Sequence, residues 1–305
     1  MYFTKIIDGI DSWEAIYQNT EAFEPLVREL FKRHQLPFFS LQNLRPGSNA
    51  VFRVDDLVIK LFGPTEAGFQ NTNAFEIEKT ALAQANSVIL SPKLVASGVI
   101  QDAYQFNYII MEQVEGVDLF DIPLEQRITY IPLIKKLTTS LNQPLRTVGI
   151  PIVTMEDCLA NHRWQYFSDS FQEERRQLLK SLSFENPVYV HGDFKVANLI
   201  LNSHQQLYVV DFADSHLAPV AYEWPYMVFG LFGCHPQLMY NYFGDYQNEA
   251  FIIELSHQIL IHKFGAFLLM EICELKDKNI KTMTSIQQLY QFIQECLESE
   301  NCLIE

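Results

Sequence analysis

The sequence predicts an α+β protein in two parts: a small β-rich region over residues 1–114 with one key helix, and a larger, mostly helical region over residues 115–305. Three observations carry that prediction. Before about residue 115, short runs of branched and aromatic residues alternate with one or two helical patterns; after it, helical spacing dominates. Only Val188 to Phe212 interrupts the helices with strand-like runs, and a polar cluster lies inside that interruption. With 305 residues and 48% hydrophobic content, the chain can bury a large core as one domain or two lobes.

Taken in order, DSWEAIYQ predicts a helix start, with Asp11 as N-cap and Glu14 as its capping-box partner. LRPGSNAVFRVDDLVIKLF, from Leu44, reads as strand, Gly-containing turn, strand, Asp-Asp turn, strand. In the last of these the period of two puts Val58 and Lys60 on one face and Leu57, Ile59 and Leu61 on the other. NAFEIEKTALAQA follows as a helix whose inward stripe is Phe75, Glu78, Ala81, Leu82 and Ala85, while Glu76 shares a face with Lys79 and Thr80. A carboxylate on an apolar stripe is costly unless paired, so Glu78 is the inward acid with Lys60 as its partner, and Glu76 is a surface acid. YIIMEQVEGVDLF, from Tyr108, is an apolar strand running into an acidic, Gly-containing segment. Helical patterns then run from about Leu124 to Leu141, from about Met155 to Leu182, and between Glu249 and Glu298.

The interruption holds HGDFKVANLI, from His191, between the strand-like runs PVYV and LILN. A polar loop held by rigid elements is a place for chemistry. After Asn198 the chain runs LIL, turns through NSHQQ and returns as LYVVDF, a hairpin with a five-residue connection. Such a hairpin brings its open ends together, so Asn198 and Asp211 become neighbours, with Asp193 just upstream. An amide oxygen beside a carboxylate suits Mg²⁺ that is also bound to phosphate oxygens. Asp193 is then available to accept a proton from an attacking hydroxyl.

HGDFKVAN followed by VVDFAD resembles the catalytic and metal-binding loops of the aminoglycoside phosphotransferase and choline kinase-like family, which shares the two-lobed protein-kinase fold. The resemblance covers about Leu41 to Phe232 and is specific only around these motifs. It implies a nucleotide-binding N-lobe over 1–114 and a helical C-lobe over 115–305 carrying the catalytic loop and acceptor site. It implies Asp193 as catalytic base, Asn198 and Asp211 as Mg²⁺ ligands, and Lys60, positioned by Glu78, on the α- and β-phosphates of ATP. Gly47, Ser48 and Asn49 replace the GxGxxG of protein kinases and would offer backbone N–H groups to a phosphate; a plain hairpin turn is the alternative. Main-chain groups near Glu112 and Val114 would meet the adenine edge. Lys195 stands where serine/threonine protein kinases carry lysine, either as a catalytic group or as a balance for the site's carboxylates.

DFADSHLAPVAYEWPYMVF, from Asp211, aligns with the hygromycin-type phosphotransferases, where an acid and a Tyr-Glu pair follow the metal ligand; these are Asp214 and Tyr222-Glu223. It leaves no room for a long activation loop and holds no APE motif, so a small hydroxyl acceptor is favoured over a protein. Asp214 reads as a substrate contact or a loop cap. Glu223 reads as a substrate contact or, preferably, a buried brace for the catalytic loop, and His191 as orienting that loop.

Composition bounds the rest. A net charge of -15 argues against nucleic acid. The balance is -4 over residues 1–114 and -11 over 115–305, which suggests a cationic acceptor unless the carboxylates only keep the surface soluble. No signal peptide or spanning segment is evident, and the five scattered cysteines lack any CxxC, so a cytoplasmic protein without a disulfide framework is expected. The expected function is ATP- and Mg²⁺-dependent O-phosphorylation of an aminoglycoside-like or other small, cationic molecule. A metabolic kinase of choline, homoserine or sugar type and a non-catalytic ATP-binding module are the alternatives. The oligomeric state is not readable.

Overall fold

The computed structural model describes the chain apart from residues 69–72, 86–88, 145–148, 300–301 and 305. The chain divides into two compact units, Met1–Glu115 and Gly116–Glu305.

The first unit opens with the short helix α1 (Ile10–Glu14) and the longer α2 (Thr20–Arg33), and carries α3 (Ala74–Ala85) between its third and fourth strands. Its antiparallel sheet comprises β1 (Gln42–Asn43), β2 (Ala50–Val54), β3 (Leu57–Leu61), β4 (Leu94–Gln101) and β5 (Gln105–Glu112), in the order β1-β2-β3-β5-β4. The β2–β3 hairpin closes through Asp55–Asp56, with Asp55 at φ 55°, a left-handed conformation that short polar side chains tolerate. Ile59 and Leu61 join Phe52, Val54 and Ile110 in a core filled from the helical side by Phe23, Leu26, Val27 and Leu30 of α2. Strand alternation therefore sends Lys60 to the opposite face.

Asp11 does not cap α1. That helix starts at Ile10 after Gly9 with no side-chain cap; the Ser12 hydroxyl instead donates to the Gly9 carbonyl and accepts from the Asp8 N–H. The capping role passes to Asn19, whose side chain accepts from the Ala22 N–H at 3.0 Å and starts α2.

The second unit holds two small antiparallel sheets. β6 (Val117–Asp118), β8 (Leu199–Leu201) and β9 (Leu207–Val209) lie in the order β6-β8-β9, and β7 (Val188–Val190) pairs with β10 (His216–Ala218). Around them are α4 (Ile131–Leu141), α5 (Met155–Ala160), α6 (Asp169–Leu179), the single turn α7 (Trp224–Tyr226) continuing as a π-helix over Met227–Leu231, α8 (Pro236–Phe243), α9 (Glu249–Ile261), α10 (Gly265–Leu275) and α11 (Ile286–Glu298). A β-rich first unit and a helical second unit are the α+β architecture that the sequence predicts. The pattern expected from Met155 to Leu182 is broken twice, because Asn161 and Ser168 adopt extended backbone and cap new segments, accepting from the N–H groups of Arg163 and Phe171. Among the described residues no helix is long and apolar enough to cross a membrane.

Candidate active site

β7 delivers its chain directly into the loop that begins at His191. Phe194 and Val196 are buried beneath this loop, and a turn of 3-10 helix over Val196–Asn198 leads into β8. Of the polar residues on this loop, Asp193 and Lys195 are partly exposed, while His191 and Asn198 are buried.

Glu223 supports the loop. Its carboxylate, 2% exposed, accepts from the backbone N–H groups of His191 and of Gly192, the latter at 3.3 Å. Burial pushes its pKa up to about 8, while those two N–H groups pull the other way. Glu223 thus braces the loop through these two bonds, with its carboxylate buried rather than open at the surface. His191 is also fully buried: its Nε2–H donates to the Val210 carbonyl at 3.0 Å, and its Nδ1 accepts from the Asp193 N–H at 3.3 Å. The carbonyl can only accept, so the neutral tautomer is fixed, and burial lowers the histidine pKa further. His191 orients the loop.

Gly192 has φ 79°, and a Cβ there would stand 2.1 Å from the Asp214 carbonyl oxygen. No side chain fits without moving backbone. Gly192→Ala is expected to destabilise the protein by about 2 kcal/mol or more, from left-handed strain plus the clash; urea unfolding of the variant measures it.

The carboxylate of Asp193 is held at the front of the loop. Asn198 Nδ2 donates to its Oδ2 at 2.9 Å and to its carbonyl at 2.8 Å, and Lys195 Nζ stands 3.6 Å from Oδ1. Burial pushes the Asp193 pKa up to about 6; Lys195 and the Asn198 bond oppose the shift, and the carboxylates of Asp211 and Asp214 add to it. Because Asn198 spends its amide hydrogens on Asp193, its Oδ1 is the end left to face a cation. The β8–β9 hairpin pairs Leu199 with Val209, and Val210 N–H donates to the Asn198 carbonyl at 3.0 Å, so exposed Asp211 emerges beside Asn198 at the open end. Its φ is 63°. Among the described residues no group of three or more His, Cys, Asp or Glu is arranged to hold a metal. An amide oxygen and one carboxylate nevertheless fit Mg²⁺, which ordinarily takes few protein ligands and completes its shell with water and phosphate oxygens.

Asp214, read as a substrate contact or a loop cap, is half-buried in an ion pair. Its Oδ1 pairs with Lys263 Nζ at 2.6 Å, and its carbonyl accepts from His216 Nδ1 at 2.6 Å. Lys263 is a site residue that the sequence reading missed; 49 positions separate it from Asp214, and no motif marks it.

In the first unit, Lys60 Nζ and Glu78 Oε2 are 2.7 Å apart, with side chains 4% and 1% exposed. Glu76 is exposed and pairs with Lys79 at 2.7 Å. The inward stripe of α3 includes Ile77 as well as Phe75, Glu78, Ala81 and Leu82; the side chain of Ala85 lies outside the described residues. Gly47 and Ser48 are exposed ahead of β2, with the Ser48 carbonyl accepting from Trp13 Nε1 at 2.9 Å and Asn49 Oδ1 accepting from the Gly63 N–H at 3.3 Å. The Glu112 N–H donates to the Lys93 carbonyl, and the Val114 carbonyl accepts from the Gln113 side chain at 3.1 Å. Those two main-chain groups are engaged within the unit itself.

The model of a phosphotransferase enzyme family matches residues 42–247. No curated protein matches the chain by sequence. Among solved structures, the GDP complex of wild-type aminoglycoside 2'-phosphotransferase-IIIa is similar over 92% of this chain and 99% of its own, at 17% identity and a TM-score of 0.60. A ternary complex of a thermostable mutant of aminoglycoside phosphotransferase APH(4)-Ia with AMP-PNP and hygromycin B is similar over 90% and 97%, at 14% identity and a TM-score of 0.59. A choline/ethanolamine kinase family protein from Mesorhizobium loti is similar over 85% and 87%, at 15% identity and a TM-score of 0.53. At these identities the likeness establishes the fold.

Proposed function

The chain belongs to the phosphotransferase enzyme family, and from that premise we propose that it transfers the γ-phosphoryl group of ATP to a hydroxyl of a small molecule. The observation that carries this reading is the joined set Asp193, Asn198 and Asp211: a carboxylate oriented by an amide whose oxygen is left, beside a second carboxylate, for a divalent cation. Asp193 accepts the acceptor's proton, and Lys195, close to it, offsets charge on the transferring group. Lys60, fixed by Glu78, holds phosphate oxygens of the nucleotide, and the backbone N–H groups of Gly47, Ser48 and Asn49 add to that hold. The first unit thus serves the nucleotide, and the second serves the chemistry and the acceptor.

Asn198 Oδ1 and the Asp211 carboxylate would hold Mg²⁺, which when bound neutralises charge on the phosphate oxygens. Nucleotide use is supported by the GDP and AMP-PNP bound in the similar structures. The five cysteines are buried free thiols, in keeping with a reducing, cytoplasmic setting.

Asp211→Asn is expected to raise the Mg²⁺ concentration for half-maximal activity by about tenfold or more, the range seen when a metal site loses part of its support. Magnesium titration of ADP release measures it. An unchanged requirement, with full activity, removes Asp211 from the metal site and weakens the whole reading.

A further inference from the structure

A cavity of about 360 Å³ opens in the second unit between the segment around Pro151–Arg163 and the ends of β10 and α9. Its volume suits a small metabolite. Lys263 and His216 form one wall, and both are bonded to Asp214. The Asp214 carbonyl packs against Gly192, the residue before Asp193. The cavity therefore adjoins the catalytic loop through a single residue.

Its charge runs against that of the chain. The whole protein carries -15, yet the lining side chains include Arg163 and Lys263, two histidines, and among the described residues one acid, Asp157. Asp157 is exposed and accepts from the Thr154 hydroxyl at 2.6 Å at the start of α5. Lys263 shares its charge with Asp214. Arg163 has no carboxylate in ion-pair range among the described residues; its guanidinium stands 5.2 Å from the centre of the Phe264 ring and 5.4 Å from that of Phe267. Lys263 Nζ lies 5.0 Å from the same Phe264 ring. Aromatic faces hold a cation without neutralising it.

The two cations are also set by a common brace. Asn161 Nδ2 donates to the Lys263 carbonyl at 3.0 Å, while its Oδ1 accepts from the Arg163 N–H at 3.2 Å. His216 adds an acceptor to the wall: its Nδ1 carries the hydrogen given to the Asp214 carbonyl, so Nε2 keeps a lone pair for a hydroxyl.

We propose that this cavity holds the phosphoryl acceptor and selects one bearing an anionic group, a phosphate monoester or a carboxylate, which Arg163 and Lys263 engage while His216 takes a hydroxyl. This deepens the phosphotransferase reading and rests on it. It reverses the cationic acceptor that the net charge suggests, because the charge of a surface is an average and recognition is made by the lining groups. A guanidinium matches carboxylate and phosphate geometry with paired hydrogen bonds, and it repels an ammonium. In the transfer, the acceptor oxygen forms a bond to the γ-phosphorus, the bond from that phosphorus to the bridging oxygen breaks, the hydroxyl proton passes to Asp193, and ADP leaves with the bond electrons.

The test is ADP release from Mg-ATP with three acceptor sets: glycerol 3-phosphate, ribose 5-phosphate and glucose 1-phosphate; glycerate and malate; choline, kanamycin and hygromycin B. Turnover is expected with the first or second set, which separates phosphate from carboxylate recognition. Arg163→Ala should raise KM for the accepted anion about tenfold or more with kcat changed less than about twofold, and Arg163→Lys should recover part of the loss. Turnover confined to the amines, no turnover with any anion, or a KM that Arg163→Ala leaves in place overturns the acceptor class. The phosphotransferase reading is scored separately, by acceptor-free hydrolysis of Mg-ATP and its loss in Asp193→Asn.

Discussion

Asp193→Asn is expected to lower kcat by about a thousandfold, in the range that a positioned general base contributes. Asparagine preserves the shape of the side chain and leaves an oxygen to accept from Asn198, but it has no basic lone pair for the acceptor's proton. A carboxyl brought up to about 6 by burial is a stronger base than a solvated one and is still ionised at neutral pH. The same burial sets the sign of the stability change. A carboxyl whose folded pKa exceeds its unfolded value favours folding below the unfolded pKa and loses that contribution as pH rises through the folded one. At pH 7.5 the charge is therefore a burden on the fold, and the neutral asparagine should leave the unfolding midpoint equal or higher. Steady-state kinetics with thermal unfolding checks both halves; more than about a tenth of wild-type kcat in the variant would remove Asp193 from the chemistry.

The second large effect belongs to the first unit. Lys60→Met is expected to cost about 3–5 kcal/mol, because it leaves the Glu78 carboxylate, 1% exposed, without the ammonium 2.7 Å away. Glu78→Leu should cost a similar amount for the converse reason. Their combination should recover most of the loss, since an apolar pair asks for no desolvation of charge. Activity should follow a different course: all three variants lack the phosphate-holding arrangement, so the double variant should fold and remain inactive. Urea unfolding of the four proteins gives the coupling energy. Single variants that each lose less than about 1 kcal/mol would show that the pair is solvated in solution.

What the sequence made legible was local and periodic. The choice of Glu78 over Glu76 follows from a period of 3.6, and the hairpin of β8 and β9 from two apolar runs flanking five turn residues, whereas the Asp193 to Asn198 spacing was legible through its resemblance to a family motif. The α1 start was misassigned because Asp11 and Glu14 have the spacing of a capping box, whereas Ser12 and the short length of the helix set the actual hydrogen bonds. β6 and β10, two and three residues long, are too short to show alternation and exist through pairing with distant strands. The Asp214–Lys263 pair and the Asn161 brace join residues 49 and 102 positions apart, and no local pattern foretells them. The charges lining the cavity beside Asp214 were not legible either: composition reports the whole surface, while the fold decides that Arg163 and Lys263 line one cavity.

Glu223 grips the loop of Asp193 through main-chain N–H groups, and Gly192 fits it against a main-chain carbonyl. Arg163 and His162 sit on a separate segment whose side chains take no part in that grip. On the acceptor proposed above, Arg163 can change without touching the bonds that hold the loop, whereas Lys263 and His216 are tied to it through Asp214. On that proposal, a lineage trades one acceptor for another at Arg163 while its reaction centre stays unrevised.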